Sequence, residues 1–396
     1  MDGGGASAEN FAEDEQLRRL LYNKAIGAIA RIANNSFGWQ TDRRILVIES
    51  DDWGSARLPN KEKFRNYASL NQKVSHCAYM QYDSLETTPD LERIGNVLSS
   101  ISDFRGRQLC FSPNYIMANP DFPKIEQSDF QTFFYEPFDQ TIARNCCDGK
   151  SLITVRSLCA DGLWCPQFHG REHVNVSRWL TALRAGVPAI REAFDQEIYG
   201  VSRQCAPGLT SSVLEAYAVD NPQEIDDRTR SVAEGLQIFS EFFGFFSRSF
   251  IPPNYILAPQ IHGRLHELGI EGLQGLPVMK RSGAGQWHSS VRIVGRHDRY
   301  GLVSMARNAV FEPSLNVQQN NVDIALAQIG RAFQNRSAAV LCSHRLNYMG
   351  GISIENQNRG LSGLRELMRR VQAAWPDVEF MSTDELLSEM QGESHA

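Results

Sequence analysis

The chain has 396 residues, 42% of them hydrophobic and 22% charged, with a formal net charge of −6 and a pI near 5.9. This is an ordinary globular composition, and the length allows one large α/β barrel or two ordinary domains. Because no segment is strongly basic, we expect no nucleic-acid partner. Because no apolar run is long enough to cross a bilayer, we expect no membrane span.

The N-terminal segment is small and acidic. Residues 1–15 are predicted to be disordered. The segment lacks the basic-then-apolar pattern of a secretory signal, which predicts a cytoplasmic protein. The eight cysteines form no CxxC motif, so most are expected to be reduced and structural.

Short apolar strands alternate with helices along the chain. Helices are predicted at 16–34, 61–71, 91–102, 175–194, 224–243, 260–268, 320–335, 360–374 and 383–390, the last capped by Thr383. Strands are predicted at 45–48, 107–117, near 164–168, 247–256, 337–346 and 378–382. This alternation favours a parallel sheet with helical crossovers. No linker divides the chain, so we predict one α/β barrel domain over residues 16–390, with insertions around 60–165 and 195–245.

Three carboxylates lie where the first strand ends. Glu49, Asp51 and Asp52 follow the apolar run that begins at Ile45. Like charges repel one another, and burying them costs more still, so the cluster needs a compensating partner. In a parallel barrel, chemistry sits at the C-terminal ends of the strands. We therefore expect that partner at the ends of the other strands.

Histidines follow two further strands. His169 and His173 are spaced i, i+4, so on one helical turn both imidazoles can reach one divalent ion. His344 ends the strand at 337–346. Two histidines and one aspartate would leave positions open for water and substrate, while the second aspartate stays free as a base.

Other interpretations of these residues stay open. The aspartates can form a solvated turn and the histidines can cap structure, and an HxxxH pair alone is a weak signal, since His262 and His266 share its spacing. A second metal hypothesis joins His169 and His173 to two cysteines, Cys159 and Cys165, as a closed structural zinc site. That hypothesis leaves the aspartates unexplained.

A partial repeat also links two segments. Residues 111–120, FSPNYIMANP, and residues 250–259, FIPPNYILAP, share Pro-Asn-Tyr-Ile. The repeat is either chance with shared turn chemistry or a pair of equivalent loops at strand ends that face one pocket.

The ordered set of motifs resembles the polysaccharide deacetylase (NodB-homology) family of carbohydrate esterases. The family's Thr-Phe-Asp-Asp-Gly is similar to residues 49–54, and its His-x-x-x-His to residues 169–173. Its proline-aromatic strand end is similar to residues 251–255, its late strand ending in His to residues 340–344, and its closing strand and helix to residues 380–386. The ordered match spans about residues 43–390.

The chain also departs from the family pattern. Glu49 and Ser50 replace the usual Thr-Phe, and Trp53 is inserted before the glycine. The family arginine beside the proline motif is absent where Ile251 stands, and Arg248 is the nearest arginine. These departures indicate a divergent member.

The resemblance implies a distorted (β/α) barrel of the polysaccharide deacetylase type with helical insertions. It implies a metal-dependent hydrolase that removes an N-acyl group, above all N-acetyl, from a sugar or glycan precursor. Asp52, His169 and His173 would bind a divalent ion, zinc first, with cobalt or nickel as alternatives. Asp51 would be the general base and His344 the general acid.

Weaker assignments complete the hypothesis. A backbone N–H near Tyr255 would stabilise the oxyanion. Residues in loops at strand ends would contact the sugar: Trp53, Asn114, Tyr115, Asn254 and Tyr255. Glu172 would orient a histidine ligand and Arg248 the base. Two alternatives remain, a metal-dependent glycoside hydrolase on a similar barrel and a catalytically inactive carbohydrate-binding protein. The sugar and the oligomeric state are left open.

Overall fold

The computed structural model of the chain describes residues 22–145, 149–283 and 286–392. Its strands are β1 Ile45–Trp53, β2 Ser112–Ile116, β3 Ala118–Pro120, β4 Tyr135–Pro137, β5 Gln167–Gly170, β6 Ser249–Phe250, β7 Gly272–Leu273, β8 Val278–Gly283, β9 Gln286–Val291, β10 Val303–Ser304, β11 Ala309–Val310, β12 Ala339–His344 and β13 Glu379–Met381. Residues 1–15, predicted to be disordered, lie outside the described residues.

The helices cover the strands and fill the connections between them. They are α1 over residues 22–37, α2 Lys61–Leu70, α3 Ala78–Tyr82, α4 Thr88–Ser99, α5 Phe122–Gln127, α6 Phe138–Asn145, α7 Ser151–Ala160, α8 Val176–Arg184, α9 Pro188–Phe194, α10 Glu224–Phe243, α11 Pro259–His262, α12 Asn321–Gln334, α13 Ile354–Ala374 and α14 Thr383–Gln391. None of the described helices has the length and apolarity needed to cross a membrane.

The main sheet is parallel, with strand order β10-β7-β6-β5-β2-β1-β12-β11 and with β13 paired to the start of β1. Residues 45–48 of β1 are at most 1% exposed, as expected for a strand covered on both faces. Large apolar clusters on either side of β1 form the core. The central position of β1 brings the acidic motif to the middle of the strand ends.

The segment from β10 to β11 joins the two edges of this sheet. The Met305 N–H donates to the Leu273 carbonyl of β7 at 3.0 Å, and the Asn308 N–H donates to the Val340 carbonyl of β12 at 3.1 Å. One short segment is therefore bonded to both edges, and the sheet curls into a distorted barrel. The predicted α/β barrel is confirmed.

Several element predictions need correction. The helix predicted at 175–194 is two helices, because Gly186 adopts φ 66° and Pro188 begins α9. The cap of α14 is Ser382 rather than Thr383, in a capping box with Glu385. The pairs β3–β4 and β8–β9 and the two-residue strands β7, β10 and β11 had no clear periodic signal in the sequence.

The predicted insertions have different structures. The stretch 60–165 includes β2, a central strand of the sheet, so it is not wholly an insertion. Residues 195–219 contain no helix or strand and pack on helices α2, α8 and α9 in a separate apolar cluster. This second cluster lies beside the carboxyl ends of the strands and forms one wall of the site described below.

Candidate active site

An irregularity at the end of β1 separates the two aspartates. The register against β2 shifts between Ser50 and Trp53, as at a β-bulge, and Asp52 adopts φ 74°. Gly54 follows with φ 76°, where an added Cβ would lie 2.5 Å from the Ile116 carbonyl oxygen. The bulge re-aims successive side chains, so Asp51 and Asp52 meet different partners.

Asp51 is held by a buried arginine. Arg307, on the segment that closes the barrel, donates from both terminal nitrogens to the two Asp51 oxygens, each at 2.6 Å. The Asn114 side chain donates to Asp51 Oδ1 at 2.8 Å. Burial by itself raises the pKa of Asp51, but the charge and hydrogen bonds of Arg307 outweigh it and hold the pKa at about 2. Asp51 is therefore ionised.

The same arginine compensates Glu49. Residues i and i+2 of a strand share a face, so Glu49 and Asp51 both point toward Arg307. Arg307 Nε donates to Glu49 Oε2 at 2.6 Å, and Thr383 Oγ1 donates to Glu49 Oε1 at 3.1 Å. Burial raises the pKa of Glu49 despite this arginine.

Asp52 faces the two histidines. Its Oδ1 atom lies 3.5 Å from His169 Nε2 and 3.3 Å from His173 Nε2. All three residues are buried, and Asp52 Oδ1 has no hydrogen-bond donor among the described residues. One carboxylate oxygen and two imidazole nitrogens that converge on one point are a donor set suited to a divalent transition-metal ion.

The protonation and orientation of the histidines fit this donor set. The Nδ1 atom of His169 lies 2.7 Å from the Ile251 carbonyl oxygen, which is an acceptor, so Nδ1 carries the proton and Nε2 is left with its lone pair. Burial lowers the pKa of His173 to about 3, which keeps that imidazole neutral. Metal ligands must be unprotonated, and the neutral His173 meets this condition.

The local geometry of the histidine pair differs from the prediction. His169 lies on β5 and His173 in the turn after it, not on one helical turn. Gly170 adopts φ 116°, so the strand ends there and the chain turns back after it. The i, i+4 spacing is therefore satisfied by a turn at the end of a strand.

A buried network of charged residues contacts Asp52 Oδ2, the oxygen that does not face the histidines. Arg57 Nη2 lies 3.3 Å from Asp52 Oδ2, and Arg57 Nε lies 3.1 Å from Asp83 Oδ2. Arg345 pairs with Asp83 at 2.9 Å and with Glu86 at 2.6 Å. Asp83 thus lies between an arginine from the β1 loop and an arginine adjacent to His344.

His344 stands across from Asp51 with its own carboxylate partner. Its Nδ1 atom lies 2.6 Å from Glu312 Oε1, and its Nε2 atom lies 3.8 Å from Asp51 Oδ2. Asn347 donates to the other Glu312 oxygen at 2.7 Å. Burial alone lowers the pKa of His344, but the charge of Glu312 and its hydrogen bond outweigh burial and hold the pKa well above its ordinary value. His344 is a protonated imidazole with Nε2 facing the cavity.

A cavity of about 270 Å³ joins these groups. The acidic, arginine and histidine residues of its lining are Asp51, Asp52, Arg57, His169, His173 and His344; its other lining residues are Cys77, Tyr79, Gly200, Ser202, Leu214, Pro252, Asn254 and Tyr255. Of the predicted sugar contacts, Asn254 is exposed and Tyr255 half-buried at the cavity. Asn114 reaches Asp51 rather than the cavity surface.

Two predicted sugar contacts are core residues instead. Trp53 and Tyr115 are fully buried. Trp53 packs edge-on against Trp164, and the Trp164 ring N–H donates to the Tyr115 hydroxyl. The repeat of Pro-Asn-Tyr-Ile is also not a structural repeat. Asn114 lies within β2, whereas Asn254 lies in a turn with φ 55°.

Three further assignments differ in position from the prediction. Arg248 precedes β6, at the end of the strand away from the site, and donates to Glu271 at 2.6 Å. The contact with Asp51 that was predicted for Arg248 is made by Arg307. Glu172 accepts from Arg171 and from Ser231 at 2.8 Å, not from a histidine ligand. The Tyr255 N–H donates to the Pro252 carbonyl at 2.9 Å, so it is committed within its own turn.

The cysteine-containing zinc hypothesis is not supported by the geometry. Among the described residues, the groups whose ligand atoms converge are Asp52 with His169 and His173, and Glu312 with Cys342 and His344. Cys159 and Cys165 belong to neither group. His262 pairs instead with Asp298, at 2.6 Å.

Arg307, Glu312 and Arg57 were not predicted as site residues from the sequence. Arg307 is the one charged residue between Val303 and Val310, in a largely buried segment, and a buried charged residue requires a partner. That was the one available signal. Glu312 and Arg57 follow short or irregular segments with no periodicity to place them.

Solved structures similar to the chain include polysaccharide deacetylases. No protein-family model matches the sequence, and no curated protein matches it significantly. A protein from Mycobacterium smegmatis described as a polysaccharide deacetylase shares 12% identity at a TM-score of 0.47, with 90% of this chain and 93% of that chain covered. A family 4 acetyl xylan esterase from Clostridium thermocellum, in complex with cobalt, shares 9% identity at a TM-score of 0.34, with 89% and 93% covered.

A glucanotransferase is also similar. The 4-alpha-glucanotransferase from Thermococcus litoralis shares 11% identity at a TM-score of 0.43, with 88% of this chain but only 40% of that chain covered. At these identities and TM-scores the likeness carries no information on activity, which has to be argued from the site itself.

Proposed function

We propose that the chain is a metal-dependent hydrolase that removes an N-acyl group, most simply N-acetyl, from a sugar or sugar conjugate. The observation that carries the proposal is the orphaned Asp52 Oδ1 atom, buried between the Nε2 atoms of His169 and His173. A buried carboxylate oxygen without a donor is costly, and a divalent cation would satisfy it.

Asp52, His169 and His173 would hold the ion. A divalent ion in such a site acts as a Lewis acid that polarises a carbonyl and acidifies water. Zinc suits two imidazoles and a carboxylate, and cobalt and nickel accept the same donors.

Asp51 has the position and ionisation of a general base. It is kept ionised by Arg307, which also fixes its orientation together with Asn114. In the proposed reaction Asp51 accepts a proton from the water whose oxygen adds to the acyl carbon.

His344 has the complementary properties of a general acid. Glu312 keeps the imidazole protonated and fixes its orientation, with Nε2 aimed at the cavity 3.8 Å from Asp51. The scissile C–N bond then breaks as His344 gives its proton to the leaving amine nitrogen. The products are the carboxylic acid and the free amine; Asp51 ends protonated and His344 neutral, so atoms and charge balance.

The presence of Arg307 favours catalysis over a binding-only protein. The absence of an arginine at Ile251 had left the base without its expected partner. Arg307 supplies a bidentate contact from another segment, and a protein that only binds a sugar would gain nothing from a fully buried, oriented carboxylate beside an imidazolium.

The first test is the metal. We expect about one divalent ion per purified chain by mass spectrometry, lost in an Asp52→Ala/His169→Ala double variant. His266→Ala is the matched control because His266 belongs to the other HxxxH pair and should leave the metal content unchanged. Metal that survives in the double variant, or no metal after reconstitution with zinc, cobalt or nickel, would contradict the proposal.

The second test is the chemistry. Acetate release from N-acetyl sugars should fall by about 10²–10⁴-fold in Asp51→Asn and in His344→Ala, because each removes a proton-transfer group. Metal content should be retained in both. If both variants kept turnover within a few-fold of the parent, the assigned roles would be wrong. Release of reducing ends without acetate would instead indicate a glycoside hydrolase.

A further inference from the structure

The cavity over the candidate metal ligands is bordered by two segments that contribute no strand to the main sheet. Cys77 and Tyr79, from the region between α2 and α4, form one side. Gly200, Ser202 and Leu214, from the irregular stretch 195–219, form the other. The ends of β1, β5 and β12 form the floor.

The two sides are packed into one body rather than meeting as a loose flap. The Asn71 side chain donates to the Cys205 carbonyl at 2.8 Å, and the Tyr67 hydroxyl donates to the Ala189 carbonyl at 2.9 Å. The Ser202 hydroxyl lies 4.0 Å from Cys77 Sγ and 3.5 Å from Cys205 Sγ. Both sides share the second apolar cluster, so they are a fixed wall.

This wall packs in close contact with residues of the site. Gly200 has no room for a side chain, since an added Cβ would lie 2.0 Å from Cγ of Arg57, the residue that supports Asp52. The Tyr79 ring packs edge-on against His344 at 5.5 Å between centroids. Asp52 and His169 are 2% exposed, and His173 is 3% exposed, so the reacting groups are reached only through the cavity.

The volume limits what can enter. Pockets that take small organic ligands usually enclose roughly 300–1,000 Å³, and this cavity of about 270 Å³ lies just below that range. Its lining combines aromatic side chains, Tyr79 and Tyr255, with polar side chains, Ser202 and Asn254, and a sugar ring makes contacts of both kinds. The enclosed space fits a single ring with its acyl group and not a chain that runs past the site.

We infer that the substrate is a single N-acylated sugar unit, free or at the end of a small conjugate, and that the wall formed by residues 71–83 and 195–219 excludes internal residues of a glycan chain. This inference rests on the proposed function, and it narrows the substrate class.

The experiment compares a single sugar with a chain of four linked sugars. Zinc-loaded parent protein is given N-acetylglucosamine or its β-1,4-linked tetramer, and acetate release is measured. We expect a kcat/KM at least tenfold higher for the single sugar. Equal or faster release from the tetramer would overturn the size limit while leaving the proposed hydrolysis in place.

A second readout separates the two hypotheses without relying on turnover. Cys77 lines the cavity, so a bound ligand should slow its alkylation by iodoacetamide, measured on the Cys77 peptide by mass spectrometry. Protection by the single sugar but not by the tetramer supports the size limit even if no acetate is released, and absent release would then count against the proposed function alone. Equal protection by both overturns the size limit, and protection by neither together with no acetate release overturns both hypotheses.

A matched pair of variants tests the wall itself. Leu214 and Leu209 belong to the same segment and the same apolar cluster, and each is 8% exposed, but only Leu214 lines the cavity. Leu214→Ala should raise the tetramer-to-monomer ratio of kcat/KM several-fold, whereas Leu209→Ala should leave it unchanged. An equal change in both variants would mean that the wall does not select size, and the comparison on the parent protein stands even if a variant fails to fold.

Discussion

Replacing Arg307 should destabilise the protein far more than replacing an ordinary ion-paired arginine. Arg307 is 3% exposed and is shared by Asp51 and Glu49, which are 2% and 1% exposed. In Arg307→Met both carboxylates stay buried and lose their main positive partner. Breaking a buried ion pair by removing one partner typically costs about 3–5 kcal/mol, and we expect a loss in the free energy of unfolding of this size.

The control is Arg336, which pairs with Asp42 at 2.7 Å on the surface with side chains 57% and 82% exposed. Solvent screens such a pair, so Arg336→Met should cost at most about 1 kcal/mol. Unfolding in urea can be followed by the fluorescence of the buried tryptophans, and an unchanged slope with urea would show that the loss is in the native state.

A double variant tests the cause of the loss. Glu49→Gln removes one of the two carboxylate charges that Arg307 compensates, so Glu49→Gln/Arg307→Met should recover part of the loss. Residues in direct contact usually show coupling of about 0.5–3 kcal/mol. Zero coupling would mean that Arg307 acts through packing alone.

Two outcomes would refute this reasoning. One is an Arg307→Met variant no less stable than Arg336→Met. The other outcome concerns a second variant, which is needed if Arg307→Met does not fold. Arg307→Lys, which keeps the charge but loses the two-pronged contact, should then fold but release acetate much more slowly than the parent, and parent-like turnover would show that the oriented contact with Asp51 is dispensable.

Other parts of the site and the core support three further predictions. Glu312→Gln should lower acetate release by about 10²–10⁴-fold without loss of metal, because His344 would no longer be held protonated. The rate of alkylation of Cys77 should be half-maximal near pH 5 and level off about one to two pH units higher, because hydrogen bonding from a neighbouring thiol lowers its pKa to about 5. Burial raises the pKa of Cys159 to about 12, so this thiol should stay unreactive at neutral pH. Trp53→Ala should cost about 3–5 kcal/mol of stability, as for a core tryptophan, and an unchanged unfolding midpoint would contradict its burial.

The parts of the fold that the sequence predicted are those with long local signals. β1 was recognised by its apolar run and α10 by its periodicity, and both are present. The two-residue strands β7, β10 and β11 have no periodicity of their own and exist because neighbouring strands pair with them. Barrel closure was therefore expected from the strand–helix alternation, but the segment that closes it was not identified.

The site was predictable where one motif follows one strand. Asp51, Asp52, His169, His173 and His344 converge on one cavity, as the order of motifs suggested. The aromatic residues were misjudged because residue type does not tell on which side of a strand end a ring falls. The shift in register after Ser50 sends Trp53 into the core against Trp164.

The partners of the proposed catalytic groups were not predictable, because they depend on contacts between distant segments. Arg307 lies 256 residues from Asp51 in the chain, and Glu312 lies 32 residues before His344. Each meets its partner only after the sheet has curled. The absence of an arginine at Ile251 therefore did not leave Asp51 without a cationic partner, since another segment supplies a guanidinium to the same carboxylate.

The balance of buried charge explains why the chain tolerates so many acids at one place. The connected network holds six carboxylates and three guanidiniums, all buried: Glu49, Asp51, Asp52, Asp83, Glu86, Glu312, Arg57, Arg307 and Arg345. When all are ionised and His344 is protonated, two negative charges remain uncompensated, and burying them would be costly. A divalent cation between Asp52 and the histidines would neutralise that excess. The acidic cluster, the orphaned Asp52 oxygen and the neutral His173 thus have one common explanation, and chelation should lower the stability of the fold as well as its activity.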